Sequence, residues 1–169
     1  MQYKTIIVMG VSGVGKTSVA RGLAAKLDGV YLEADDLHPP ANVAAMSQGK
    51  PLTDEMRAPW LKAVATAIAA QKATTPEQPA VTACSALKRN YRDVIRGALP
   101  DAVFVHLIGD KDLIAQRMVA RTNHFMPVTL LQSQLSILEP LAQDEAHFCV
   151  DVAGSHAEVL DAAVASLTS

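Results

Sequence analysis

Short apolar runs alternate along the chain with stretches of helical period. Thr5 to Met9, Val30 to Leu32, Ala80 to Ala83, Val103 to Ile108 and Phe148 to Val152 are brief and almost continuously apolar, which is how a strand buried on both faces reads. After Gly15, Val19, Leu23 and Leu27 recur at i, i+4 and i+8. A second helix is expected to open at Pro59, carrying Trp60, Val64 and Ile68 at the same spacing. A last helix, about Ala157 to Leu167, carries Val159, Leu160, Ala163 and Leu167 and closes the fold. Strands alternating with helices predict a parallel sheet covered on both faces.

Two stretches depart from that alternation. His38 to Pro59 holds four of the nine prolines, Pro39, Pro40, Pro51 and Pro59, together with Gly49, so a short helix followed by turns is expected there. It reads as an inserted substrate region. Thr122 to Val128 follows a helix marked by Leu113, Arg117 and Val119, and its Asn, His and Pro suit an exposed, mobile loop. No internal repeat is present, and Ala73 to Pro79 is a polar loop.

Composition narrows the function classes. The 169 residues suit one compact domain, and 15 Lys+Arg against 17 Asp+Glu give a net charge of −2, which disfavours a polyanion binder working through overall charge. The longest uncharged run, Thr122 to Leu138, is broken by Asn123, His124, Pro127, Gln132 and Gln134, so no membrane helix is expected. Ile6 to Met9 is too short for a secretory signal. Cys84 and Cys149 lie far apart without zinc spacing, which points to a reduced, cytoplasmic setting.

The chemistry begins at Gly10-Val11-Ser12-Gly13-Val14-Gly15-Lys16-Thr17, a match to G-x-x-x-x-G-K-[ST] between a short strand and an amphipathic helix. Glycines let backbone N–H groups turn inward around phosphate oxygens, and the helix N-terminus adds positive potential. Lys16 then supplies a point charge to the β- and γ-phosphates of a nucleotide, and the Thr17 hydroxyl can ligate Mg²⁺. The guanine-reading Asn-Lys-x-Asp is absent, because Gly109-Asp110-Lys111-Asp112 lacks the Asn, and Asp151-Val152-Ala153-Gly154 comes too late for a GTPase switch.

A second constellation follows the second strand, at Glu33-Ala34-Asp35-Asp36-Leu37-His38-Pro39. Ligands of parallel sheets collect at the carboxyl ends of strands, so these acids should face the phosphate loop. Strand alternation would turn Glu33 and Asp35 to one side and Asp36 to the other. Asp35 is then the candidate to orient, and to deprotonate, an attacking hydroxyl, with Glu33 nearer the Mg²⁺. Arg57, Lys88, Arg89 and Arg92 are the cations best placed to meet a small acidic substrate. Arg117 and Arg121, one helical turn apart, precede the loop where a lid would supply charge to a transferring phosphoryl group. His38 is a candidate hydrogen-bonding partner for a polyol, His124 lies in the lid loop, and His106 reads as a core histidine.

These residues, with Asn42, Met46, Gly49, Pro51-Leu52-Thr53-Asp54, Pro59-Trp60-Leu61, Cys84-Ser85-Ala86-Leu87-Lys88-Arg89, Tyr91-Arg92-Asp93, His124-Phe125 and Glu139-Pro140, resemble the small P-loop gluconate kinases from about residue 6 to 152. The resemblance implies a three-layer P-loop NTPase fold related to nucleoside monophosphate and shikimate kinases, with a five-stranded parallel sheet and helices on both faces. One domain over residues 1–169 would then carry a substrate insertion at about 38–59 and a lid at about 117–138. It further implies Mg²⁺- and ATP-dependent phosphorylation of D-gluconate at its 6-hydroxyl, in a cytoplasmic homodimer. Residues Gly10 to Ser18, with Arg117 and Arg121, would hold ATP; Asp35, His38, Arg57, Lys88, Arg92 and His124 would line the gluconate site; Lys16, Asp35 and Arg121 would act in catalysis. There is one departure: Glu33-Ala34-Asp35 stands where the family pattern has Asp-Gly-Asp. The alternatives are a shikimate or nucleotide kinase, told apart by acceptor, and an ATP-binding regulator that transfers nothing.

Overall fold

A computed structural model of the chain describes residues 2–120 and 128–169. Five strands, β1 (Thr5–Met9), β2 (Val30–Glu33), β3 (Ala80–Ala83), β4 (Ala102–Ile108) and β5 (His147–Asp151), form one all-parallel sheet in the order β2-β3-β1-β4-β5. The β1 residues alternate between two cores. Ile6 and Val8 face one layer, packed by α1 (Lys16–Lys26), α5 (Lys111–Ala120), α6 (Val128–Ile137) and α7 (His156–Thr168). Ile7 and Met9 face the other, filled by Trp60, Leu61, Val64 and Ile68 of α3 (Asp54–Thr74) and Tyr91 and Ile95 of α4 (Arg89–Ala98). Both faces of the sheet are therefore covered, as the apolar runs predicted.

The connection leaving β1 runs through α1 on one face, while that leaving the neighbouring β3 runs through α4 on the other. A crevice opens between such strands at their carboxyl ends. Gly10 N–H reaches across it to the Ser85 carbonyl at 3.4 Å.

The stretch 38–53 contains a short helix, α2 (Pro40–Ser47), and then a turn-rich segment, as expected. Its end differs from the sequence reading: α3 opens at Asp54, five residues before Pro59. The Thr53 hydroxyl caps it, accepting from Met56 N–H at 3.2 Å, and Asp54 and Glu55 favour the first turn through the helix dipole. Pro59, the sixth residue of α3, has no N–H to give the Glu55 carbonyl, so one intrahelical bond is lost in the second turn. The earlier start places Asp54 and Arg57 one turn apart at the mouth of the crevice.

Candidate active site

The crevice is a cleft of about 500 Å³ bounded by the phosphate loop, the end of β2, the insertion, the loop after β3 and α6. Gly15 has φ of +94° and forms the N-cap of α1, a conformation that a side chain would strain. Gly13, at φ +87°, is confined as well: a Cβ there would lie 2.4 Å from Met118 Cγ. Lys16 begins α1 and folds back over the loop, its Nζ donating to the Val11 carbonyl at 2.9 Å. Ser12 N–H donates to Gln134 Oε1 at 2.6 Å, which brings α6 onto the loop.

Thr17 Oγ1 donates to the Glu33 carboxylate at 2.9 Å, and the Tyr31 hydroxyl donates to the same oxygen. Burial and then Glu33 push the Tyr31 hydroxyl up to about 12, so it stays protonated as a donor. A hydroxyl and a carboxylate beside a phosphate loop are hard oxygen donors of the kind Mg²⁺ takes, with water and phosphate completing its shell. Among the described residues there is no cluster of three or more His, Cys, Asp or Glu to form an all-protein metal cage.

Asp35 arrives by a route that strand alternation did not foresee. β2 ends at Glu33, and residues Ala34–Leu37 form a 3₁₀ turn whose first N–H groups face the Glu33 carboxylate, with Asp35 N at 3.5 Å. Glu33 and Asp35 both line the cleft. The contact with His38, and then the charge of Lys16, hold the Asp35 carboxyl below the ordinary carboxylate range. His38 Nε2 lies 3.6 Å from Asp35 Oδ1, and the imidazole stacks on Trp60 with ring centroids 4.2 Å apart.

Across the cleft, four side chains from α3 and the start of α4 form one network. Lys88 Nζ is 3.1 Å from Asp54 Oδ1, and the Tyr91 hydroxyl donates to that carboxylate. Arg57 Nη1 donates to the Leu52 carbonyl and, at 3.2 Å, to the Tyr91 hydroxyl, with the guanidinium 5.3 Å from the centre of the Tyr91 ring. Tyr91 first, and then Lys88, lower the Asp54 carboxyl; Asp54 in turn raises Lys88. With two cations and one anion the network carries an excess positive charge, suited to an acidic ligand.

Arg92 is not in the cleft. Its side chain is 0% exposed, with Nε 2.6 Å from Glu145 Oε1 and Nη1 donating to the carbonyls of Ala86 and Leu87. The expected substrate role is corrected to a structural one: the guanidinium holds the loop after β3, where Ala86 adopts φ +45°. Such strain costs about 1–3 kcal/mol and persists only where the surroundings fix it. Arg89 likewise turns away, forking onto Asp144 at 2.8 and 2.6 Å. Cys84 lines the cleft, but burial pushes its thiol up to about 12, which leaves it unreactive.

A second cavity of about 310 Å³ lies on the other side of the phosphate loop, lined by Gly13, Gly15 and Ser18, by Arg117, and by Gly154 to His156 after β5. Arg117 Nη2 donates to the Gly154 carbonyl at 3.1 Å. Arg121 and His124, expected in the lid, lie outside the described residues. Sequence reasoning missed Asp54 as part of the site, and Tyr91 as its hydrogen-bonding centre. Thr53 followed by two acids, a cap residue before a favourable first turn, was the available signal for Asp54; nothing local marks Tyr91.

Comparison with known proteins identifies the family. A family model described as "AAA domain" matches residues 6–141. The gluconokinase of Gluconobacter oxydans is 49% identical over 145 residues, covering 86% of this chain and 80% of that protein. The thermosensitive gluconokinase of Escherichia coli is 43% identical over 145 residues, covering 86% and 76%. In three dimensions, the crystal structure of a gluconokinase from Sinorhizobium meliloti superposes with a TM-score of 0.88 at 44% identity, over 98% of this chain and 92% of that one. Sequence identity at this level over most of both chains, with a matching fold, establishes that the chain belongs to the gluconokinase family.

Proposed function

We propose that this protein transfers the γ-phosphoryl group of ATP to the 6-hydroxyl of D-gluconate, giving 6-phospho-D-gluconate and ADP. The observation that carries this reading is the shared cleft: a phosphate loop, an ionised carboxylate at the end of β2 and a cationic network on α3 and α4 all face one volume of about 500 Å³. The names of the relatives supply the acceptor.

In the mechanism, the N–H groups from Gly10 to Ser18 and the Lys16 ammonium hold the phosphates, while the cavity beside Arg117 takes the nucleoside end. Thr17 and Glu33 would hold Mg²⁺, which neutralises phosphate charge when bound. Arg57 and Lys88 hold the gluconate carboxylate, and His38 lines the acceptor site beside Asp35. Asp35 accepts a hydrogen bond from the 6-hydroxyl and aligns it in line with the γ-phosphorus. As the new P–O bond forms and the bond to the β–γ bridging oxygen breaks, the hydroxyl proton passes to Asp35 and on to water. Because the transition state of phosphoryl transfer is loose, alignment and charge neutralisation do most of the work, and a carboxylate of low basicity suffices. Arg121 is assigned to the transferring phosphoryl group and His124 to the acceptor by family resemblance alone.

The reading also takes residues 1–169 as one kinase domain, with insertion and lid as predicted, acting in the cytoplasm as a homodimer. The homodimer rests on the resemblance and the reducing compartment on the separated thiols Cys84 and Cys149. An acceptor panel of D-gluconate, shikimate and nucleoside monophosphates, with ADP release as readout, tests the function. Turnover with another acceptor but not with gluconate would refute it, and ATP binding without any transfer would favour the regulator.

A further inference from the structure

Asp35, His38 and Asn42 lie in one chain of polar contacts, with His38 between the other two. The His38 side chain is 3% exposed and lies flat on Trp60, with an interplanar angle of 15°. Trp60 is itself anchored, its Nε1–H donating to the Ala34 carbonyl at 2.7 Å. Stacking sets the plane of the imidazole but is blind to which ring nitrogen carries the proton.

Asn42 removes that ambiguity. Its Nδ2 lies 2.9 Å from the Met56 carbonyl, and a carbonyl only accepts, so the amide nitrogen and not the amide oxygen must face it. The same Nδ2 lies 3.2 Å from His38 Nδ1, within reach of its second N–H. His38 Nδ1 must then offer a lone pair, and the neutral ring carries its proton on Nε2. That nitrogen is the one 3.6 Å from Asp35 Oδ1, just beyond hydrogen-bond length. Asn42 is 2% exposed, so little water competes for its amide, and Pro40 at the first position of α2 stiffens the segment that joins it to His38.

We propose that Asn42 is a positioning residue that acts through His38: by donating to Nδ1 it holds the imidazole in the Nε2–H tautomer, which presents a donor to the Asp35 carboxylate. That donor faces one Asp35 oxygen, leaving the other for the acceptor hydroxyl. The opposite tautomer would turn a lone pair toward the carboxylate and repel it. The consequence for turnover rests on the role of Asp35 proposed above; the tautomer itself does not.

The test is a long-range ¹H–¹⁵N correlation spectrum of ¹⁵N-histidine-labelled protein at about pH 8, above the ordinary histidine range, with His38 assigned by its loss in His38→Gln. The expected result is a protonated Nε2 and a bare Nδ1; a proton on Nδ1, or an average of both, overturns the proposal. Asn42→Asp replaces the donor by an acceptor and is expected to bring a proton onto Nδ1 and to lower kcat by roughly tenfold or more, with KM for ATP little changed, the latter marking loss of a transition-state contact. Altered protonation with full kcat would overturn the positioning role. Should that variant fail to fold, Asn42→Ala is expected to give mixed tautomers and a lowered kcat, and an unmixed Nε2–H ring there would refute the part of Asn42. If wild-type protein fails to phosphorylate gluconate, the function falls while the spectrum still decides the tautomer.

Discussion

Arg92 and Glu145 form an ion pair 2.6 Å long in which neither side chain is exposed. Burial alone would push the Glu145 carboxyl up, yet the hydrogen bonds from Arg92 and from Ala142 N–H outweigh it and hold it down. Removing one partner leaves a buried charge, so Arg92→Ala is expected to cost about 3–5 kcal/mol of folding stability. Denaturant unfolding measures this. Unchanged stability with a raised gluconate KM would instead return Arg92 to the substrate site.

Arg57 is one of two cations set to receive the acceptor's carboxylate, and its contacts to Tyr91 and Leu52 hold it at the cleft. Losing a charge-assisted bond of this kind costs about 1.5–3 kcal/mol. Arg57→Ala should therefore raise the KM for gluconate roughly 10- to 100-fold with the KM for ATP nearly unchanged. Steady-state kinetics with each substrate varied in turn checks it, and an unaltered gluconate KM would move the carboxylate elsewhere.

Asp35→Asn keeps the shape of the side chain and removes its charge. General base assistance contributes about 10²–10⁴-fold, so kcat should fall by that order while ATP binding, measured by calorimetry, persists. Full turnover would take Asp35 out of the mechanism.

What local sequence carried was legible, and what depended on distant partners was not. The phosphate loop and Asp35 announce themselves by spacing next to a strand. His38, Arg57 and Lys88 stand within motifs whose neighbours decide their placement, and the structure brings them to one cleft. Arg92 was misjudged because its partner Glu145 is 53 residues away, and no feature of the stretch from Tyr91 to Asp93 foretells an internal ion pair. Asp54 was overlooked because Pro59 looked like the start of α3, whereas the Thr53 cap and two acids set it earlier. Strand alternation put Glu33 and Asp35 on the same side, and both do line the cleft, but by another route, because the chain turns into a 3₁₀ helix immediately after Glu33.

His106 gives a pH dependence of known sign. It is 7% exposed on β4, and burial, followed by the charges of Arg92 and His147, lowers it from 6.5 to about 4. Between those values the unfolded chain binds a proton that the folded chain refuses, so stability is full above about pH 6.5 and declines as the pH falls toward 4. The expected loss is on the order of 3 kcal/mol by pH 4, since each tenfold weakening of proton binding is worth about 1.4 kcal/mol. Denaturation midpoints followed through this range should show a weaker decline in His106→Gln than in the wild type. An equal decline in both would assign the effect to other groups.

Phosphoryl transfer to the 6-hydroxyl of gluconate is the claim on which the site assignments depend. The most direct measurement is ³¹P–¹H correlation spectroscopy of a reaction containing the protein, Mg·ATP and D-gluconate. The expected result is a new phosphate monoester coupled to the C6 protons, formed in step with ADP. ADP formation without that ester, or an ester coupled to any other carbon, would contradict the account.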